Sequence, residues 1–164
     1  MILIGMGSNL ISAEFETSQS LLEASLNSME NQGLKVVGRS SWYRSAPIPA
    51  SDQPWFVNGV VRVEANHEPE ALLQVLHTLE EEYGRVRRRR NESRTLDLDL
   101  LVYGDRIVNG TDGLVLPHPR LQERGFVLLP LAELAPQWRH PISGLRAAEL
   151  LESLPPGQGV ERIT

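Results

Sequence analysis

Residues 95–105 read TLDLDLLVYGD. Leu96, Leu98 and Leu100 alternate with Asp97 and Asp99, which is the two-residue period of a β-strand. Successive strand side chains point to opposite faces, so the two aspartates share one face and the leucines the other. At a rise of roughly 3.3 Å per residue, the two carboxyls stand on the order of 6–7 Å apart. Directly before this strand lies an arginine tract, RVRRRRNESR (85–94), and before that a helical pattern. The stretch is therefore the last strand of a longer alternation of strands and helices.

Reading outward fixes the order. ILIGMGS (2–8) is a buried strand running into glycine-rich chain. The second half of 9–33 is helical, with Phe15, Leu22, Leu26 and Met29 on one face and Gly33 as a stop. Residues 34–45 (LKVVGRSSWYRS) read as a second strand, 46–54 (APIPASDQP) as a proline-rich loop and 55–65 (WFVNGVVRVEA) as a third strand. In that third strand Phe56, Asn58, Val60, Arg62 and Glu64 face one way. Residues 68–84 form a second helix, with Pro69 in its first turn, Gly84 at its end and Leu72, Leu76, Leu79 and Tyr83 as its buried stripe. Residues 106–120 read as a hairpin-like or looped segment. Residues 121–136 and 145–154 read as short helices, with Pro130 either kinking the first or opening a new one. The expected fold is α+β: a ferredoxin-like βαββαβ core with an antiparallel sheet, plus an added C-terminal helical layer from about residue 106. A chain of 164 residues is expected to form a single domain over 1–164.

Composition narrows the function. There is no cysteine, which excludes disulfides and thiolate metal sites. The N-terminal apolar run lacks a basic region and a small-residue cleavage site, and no apolar run reaches the ~20 residues of a membrane span. A cytoplasmic protein without a membrane partner is expected. Net charge is −5, yet residues 85–94 carry six Arg against one Glu, a local +5. A cationic loop on an acidic body suits capture of a small polyanion better than tracking along a nucleic acid.

Two carboxylates on one strand face repel, and a divalent cation relieves that repulsion. Mg²⁺ is commonly held by one or two carboxylates together with phosphate oxygens and water. A plain solvated strand face is the competing reading of D-x-D taken alone. Arg85, Arg87 and Arg94 offer guanidinium forks that match phosphate oxygens, and Arg94 lies three residues before Asp97. Glu80, Glu81 and Glu82 sit in the last turn of the second helix, where the helix dipole disfavours anions. In LPHPRLQERGF (116–126), His118 is stiffened between two prolines and followed by Arg120 and Arg124, which suits a phosphate ligand or a proton donor.

Taken together, GSNL (7–10), YRSAPIPASDQPWFVN (43–58), EEEYGRVRRRRNESRTLDLDLLVYGD (80–105) and LPHPRLQERGFVLLPLAELAP (116–136) resemble the 6-hydroxymethyl-7,8-dihydropterin pyrophosphokinases. These folate-pathway enzymes move a diphosphate from ATP to a pterin hydroxymethyl group and release AMP. The resemblance implies that Asp97 and Asp99 hold two Mg²⁺ ions, with ATP as co-substrate. It implies phosphate contacts from Arg85, Arg87, Arg94, His118 and Arg124, with Arg85, Arg94, Asp97 and Asp99 as the catalytic set. Asn58 would bond the pterin's amide edge and Phe56 and Phe126 would sandwich its ring. Backbone groups of Ser45, Ala46, Pro47 and Ile48 would complete the pocket, and Glu80 and Leu101 would lie near the nucleoside. The partners implied are ATP and a reduced pterin alcohol, acted on by a monomer. The chain departs from the pattern in three places: its loop RRRRNES has no aromatic, SAP (45–47) stands for Thr-Pro-Pro, and Phe56 stands where some relatives have Tyr.

One feature of the residues agrees with the pterin without borrowing from the family. Phe56 and Asn58 are two apart on a strand, so one stacking surface and one amide share a face. A non-catalytic binding module and an RNA-binding protein are the alternatives. Neither needs two aspartates on one face, and the arginines lack the interleaved aromatics of single-strand RNA binding.

Overall fold

The computed structural model describes residues 1–9, 17–47, 50–84, 95–110 and 113–163. Its centre is β1 (Ile2–Ser8), all seven residues of which are buried. A strand this apolar needs cover on both faces and a neighbour on both edges. It pairs antiparallel with β4 (Phe56–Glu64) on one side and β5 (Asp97–Tyr103) on the other. Strand β4 is flanked in turn by β2 (Lys35–Arg39) and β3 (Tyr43–Ser45). The last strand, β8 (Val160–Arg162), adds to the outer edge of β3, giving the order β5-β1-β4-β3-β8 with β2 also on β4. A two-stranded ladder joins β6 (Val108–Asn109) and β7 (Val115–Leu116), so of the hairpin-like and looped readings of this segment the hairpin-like one holds.

Helices cover both faces. Helix α1 (Ser18–Asn31) starts where Thr17 caps it: the Thr17 hydroxyl accepts from Ser20 N at 3.0 Å, and Thr17 N donates to Ser20 Oγ at 3.2 Å. Helix α2 (Pro69–Glu82) opens on Pro69, whose missing N–H costs nothing at that position. Leu22, Leu26 and Met29 of α1 and Leu72, Leu76 and Leu79 of α2 pack on Ile4, Met6, Val61, Val63, Leu98 and Leu100. Phe15, expected in the same stripe, lies outside the described residues. The opposite face carries Leu3, Val60, Leu101 and Val102 under α3 (Gly125–Leu134) and α4 (Ala147–Glu152). Helix α3 runs through Pro130 as one segment; the proline only removes the bond that Phe126 O would have accepted. Among the described residues no helix is long and apolar enough to cross a membrane.

Two expectations need correction. The single strand over 34–45 is two strands broken at Ser40–Trp42. Gly59 on β4 is the reason: a Cβ there would lie 2.6 Å from Trp42 Cζ3, so Trp42 lies over the glycine instead of continuing the ladder. Ser40 Oγ accepts from Val60 N (3.0 Å), and Glu133 of α3 collects Ser41 N (2.9 Å), Ser41 Oγ (2.9 Å) and Tyr43 Oη (2.7 Å). Side chains of Ser40 and Glu133 thus take over hydrogen bonds at the break. The C-terminal layer is also more than helical, because β8 returns to the main sheet.

Candidate active site

The register of the sheet assembles the site. Gly7 of β1 opposes Asn58 of β4 on one side and Asp97 of β5 on the other. Directly opposed residues share a face, so Asp97, Gly7 and Asn58 form one row across three strands. The next row is Asp99, Gly5 and Val60. Glycine at the middle of both rows leaves a floor without side chains between the aspartates and β4. A one-residue bulge at Leu101 lets Leu98 and Leu100 face α1 and α2 while Leu101 and Val102 enter the other core. Both aspartates are therefore held half-buried on the α3 side of the sheet.

Val60, Leu3 and Leu101 lie under α3. Toward the strand ends the helix gives way to a cavity of about 480 Å³, a size that suits a small heteroaromatic. Ser45, Ala46, Pro47, Phe56, Asn58 and Phe126 all line it, as does Asp97. Asn58 is buried, and its Nδ2 donates to Ser45 Oγ at 2.6 Å. That bond fixes the amide plane and turns Oδ1 toward Gly7, 2.9 Å from where a Cβ would stand. Ala46 N donates to Gly159 O at 3.1 Å, so this amide is already satisfied by the C-terminal segment. Ile48 lies outside the described residues.

Arg124 links the cavity to the aspartates. Its guanidinium lies 5.5 Å from the Phe126 ring centroid, and its Nη1 is 3.7 Å from Asp99 Oδ2. His118 is tied to β5 by its N–H, which donates to Leu101 O at 2.9 Å. Its Nδ1 accepts from Arg120 N at 3.2 Å, and its Nε2 stands 3.9 Å from Asp99 Oδ1. Burial, then the Arg124 charge, push the imidazole down to about 4, against a smaller upward pull from Asp97. At neutral pH His118 is thus an uncharged Nε2–H donor, and its approach to Asp99 is not an ion pair. An uncharged imidazole whose Nε2 stands near Asp99 suits a hydrogen-bond ligand.

Glu80 is buried, and its Oε2 accepts from Leu98 N at 2.9 Å. An acid at a helix C-terminus is explained by this bond, which satisfies an amide of the edge strand carrying the aspartates. Leu101 meets the site through its carbonyl, while its side chain is core and rests 3.4 Å from the Cβ position of Gly5. Arg85, Arg87 and Arg94 lie outside the described residues. Among the described residues no three His, Asp or Glu side chains gather as a metal cluster. Two hard carboxylates on an open floor fit Mg²⁺, which draws its remaining ligands from phosphate and water.

Several further residues complete the site. Asn9 is buried and its Nδ2 reaches Gln53 Oε1 (3.1 Å) and Pro54 O (3.2 Å), anchoring the 50–55 side of the proline-rich loop to the end of β1. Gln53, Arg120 and Glu123 line the cavity, and so do Ser153, Leu154 and Gln158 from beyond α4.

Known proteins share both sequence and fold with this chain. Residues 3–136 match the family model of 7,8-dihydro-6-hydroxymethylpterin-pyrophosphokinase (HPPK). A 2-amino-4-hydroxy-6-hydroxymethyldihydropteridine pyrophosphokinase of Pseudomonas aeruginosa is 41% identical over 162 residues, covering 99% of this chain and 96% of that one. The Synechocystis protein of the same name is 39% identical over 92% of this chain and 74% of its own. Folic acid synthesis protein fol1 of Pneumocystis carinii is 38% identical, and the match covers 20% of that longer protein. In solved structures, HPPK-DHPS of Plasmodium falciparum superposes with a TM-score of 0.70 at 14% identity, over 92% of this chain and 43% of that one. That likeness is one of fold, and the fold is the ferredoxin-like α+β sheet described above. With the aspartate strand, the histidine turn and most of the cavity lining between them falling inside the matched span, the chain belongs to the HPPK family.

Proposed function

We infer that this chain transfers a diphosphate group from ATP to the hydroxymethyl group of 6-hydroxymethyl-7,8-dihydropterin, leaving AMP, in folate biosynthesis. The observation that carries the reading is a ring-sized cavity with Phe56, Phe126 and Asn58 in its walls and Asp97, in the same row of the sheet as Asn58, at its edge. The two phenyl rings stack the pterin, and the Asn58 amide, locked by Ser45, fixes which edge faces inward. Stacking and one oriented amide leave the hydroxymethyl group directed along the floor toward the aspartates.

In the reaction, the pterin hydroxyl oxygen bonds to the β-phosphorus while the bond from that phosphorus to the bridging oxygen of AMP breaks. Positioning and charge stabilisation carry such a transfer. Asp97 and Asp99 hold two Mg²⁺ ions, whose charge makes the attacking and leaving oxygens less costly to charge. Arg124, braced on Phe126 and beside Asp99, neutralises phosphate charge, and His118 gives one hydrogen bond from Nε2. Arg85, Arg87 and Arg94 supply further phosphate contacts, with Arg85 and Arg94 in the catalytic set. Glu80 and Leu101 frame the nucleoside end. The hydroxyl proton passes to Asp97 or Asp99. The reading is of a cytoplasmic monomer, a single domain over 1–164 with neither nucleic acid nor membrane as partner.

Incubation with ATP, Mg²⁺ and the reduced pterin alcohol tests it. AMP should accumulate one for one with pterin diphosphate. Release of ADP instead, or no nucleotide turnover, would refute the assignment.

A further inference from the structure

Beyond α4 the chain returns to the cavity and touches both of its walls. On one wall Val160 opposes Ser45 in the β3–β8 ladder, and Gly159 O accepts from Ala46 N at 3.1 Å. On the other, Gln158 reaches the turn that opens α3. Its Oε1 accepts from Gly125 N at 2.7 Å, and its Nε2 donates to Glu123 O at 2.9 Å. The fit is close: a Cβ on Gly125 would stand 3.1 Å from Gln158 Oε1 and 3.5 Å from both Leu154 Cδ1 and Val160 Cγ2. The glycine of R-G-F is the residue that lets this segment approach.

The two groups bonded by Gln158 flank Arg124. Gly125 N–H is among the first amides of α3 and has no partner within the helix. A single planar side-chain amide thus satisfies that donor and holds the carbonyl two residues earlier. It fixes the peptide planes on both sides of Arg124, whose long side chain otherwise has many rotamers. From this turn the Arg124 guanidinium reaches Asp99 and the Phe126 ring.

We propose that Gln158 is a positioning residue of the site: it clamps the 123–125 turn so that Arg124 and Phe126 are presented to the substrates. The proposal rests on the reaction assigned above. Its test uses Gln158→Ala and Gln158→Met in the full chain. Methionine keeps most of the volume and loses both hydrogen bonds.

With ATP and Mg²⁺ saturating, both variants should raise KM for the pterin alcohol about tenfold, equivalent to ~1.4 kcal/mol. A merely structural role would lower the folded fraction, which scales kcat and leaves KM unmoved. Independently of turnover, amide exchange in the 123–127 segment should accelerate in both variants while β1 and α2 stay protected. Wild-type KM in Gln158→Met, or unchanged exchange at 123–127, overturns the clamp. A wild-type chain that forms no AMP refutes the assigned reaction instead, and the exchange measurement still decides whether the turn is clamped.

Discussion

Replacing Gly7 with alanine puts a methyl group into the row that joins Asp97 to Asn58. The new Cβ would stand 2.9 Å from Asn58 Oδ1, with the next neighbours Val57 O at 3.8 Å and Asn58 Cγ at 4.0 Å. Only the Asn58 amide is in the way, and it can leave only by giving up its 2.6 Å bond to Ser45. Losing a neutral hydrogen bond costs about 0.5–1.5 kcal/mol. Alanine gains roughly 0.5–1 kcal/mol over glycine inside a strand. The two nearly offset, so Tm should move by no more than about 4 °C. Catalysis should respond far more. A displaced amide forfeits one or two oriented bonds to the pterin edge, about 1–3 kcal/mol, or roughly 5- to 150-fold in kcat/KM for the pterin alcohol. Affinity for an ATP analogue with Mg²⁺ should hold, since neither aspartate lies within 4 Å of the new methyl. Steady-state kinetics on Gly7→Ala, Asn58→Ala and the double variant complete the test. With Asn58 already truncated, the methyl has nothing to displace and should add little. An equal penalty in both backgrounds would refute the reasoning.

Asp97→Ala and Asp99→Ala should each abolish AMP formation with Tm within a few degrees of wild type; appreciable turnover in either would count against the metal assignment. Glu80→Ala strands the Leu98 amide of the edge strand, so stability should fall by about 1–3 kcal/mol and Tm by roughly 3–10 °C, read by thermal denaturation. The Arg39 guanidinium and then the Trp42 indole hold Glu23 down, to about 2 against an ordinary 4.5, with burial opposing them. A depressed carboxylate contributes stability that is whole above pH 4.5 and lost as pH falls toward 2. Acid titration of unfolding should therefore steepen in that window for the wild type and flatten for Glu23→Gln; parallel curves would remove Glu23 from the account.

What the sequence disclosed was local and periodic. The buried run of β1, the alternation of β5, the leucine stripes of α1 and α2 and the shared face of Phe56 and Asn58 all follow from side-chain period, and each stands in the fold. Features set by a distant residue were not legible. Nothing in Ser40-Ser41-Trp42 announces a strand break, because the cause is Gly59 on another strand. Strand β8 is three residues long and is stabilised by its place beside β3 rather than by its own pattern. Glu80 looked like a charge misplaced at a helix end until its partner, a backbone amide 18 residues away in sequence, came into view. Asn9 and Gln53 lie within the quoted motifs but no period assigns them a role, Gln158 lies outside those motifs, and all three are brought to the site by the fold. The resemblance, for its part, named the pterin, which periodicity could not.

The most direct test of the account is a crystal structure with Mg²⁺, a non-hydrolysable ATP analogue and the reduced pterin alcohol together. Both Asp97 and Asp99 should ligate magnesium, with the pterin ring between Phe56 and Phe126 and its hydroxymethyl oxygen facing the β-phosphorus. A ring bound elsewhere, or carboxylates turned away from any ion, would contradict it.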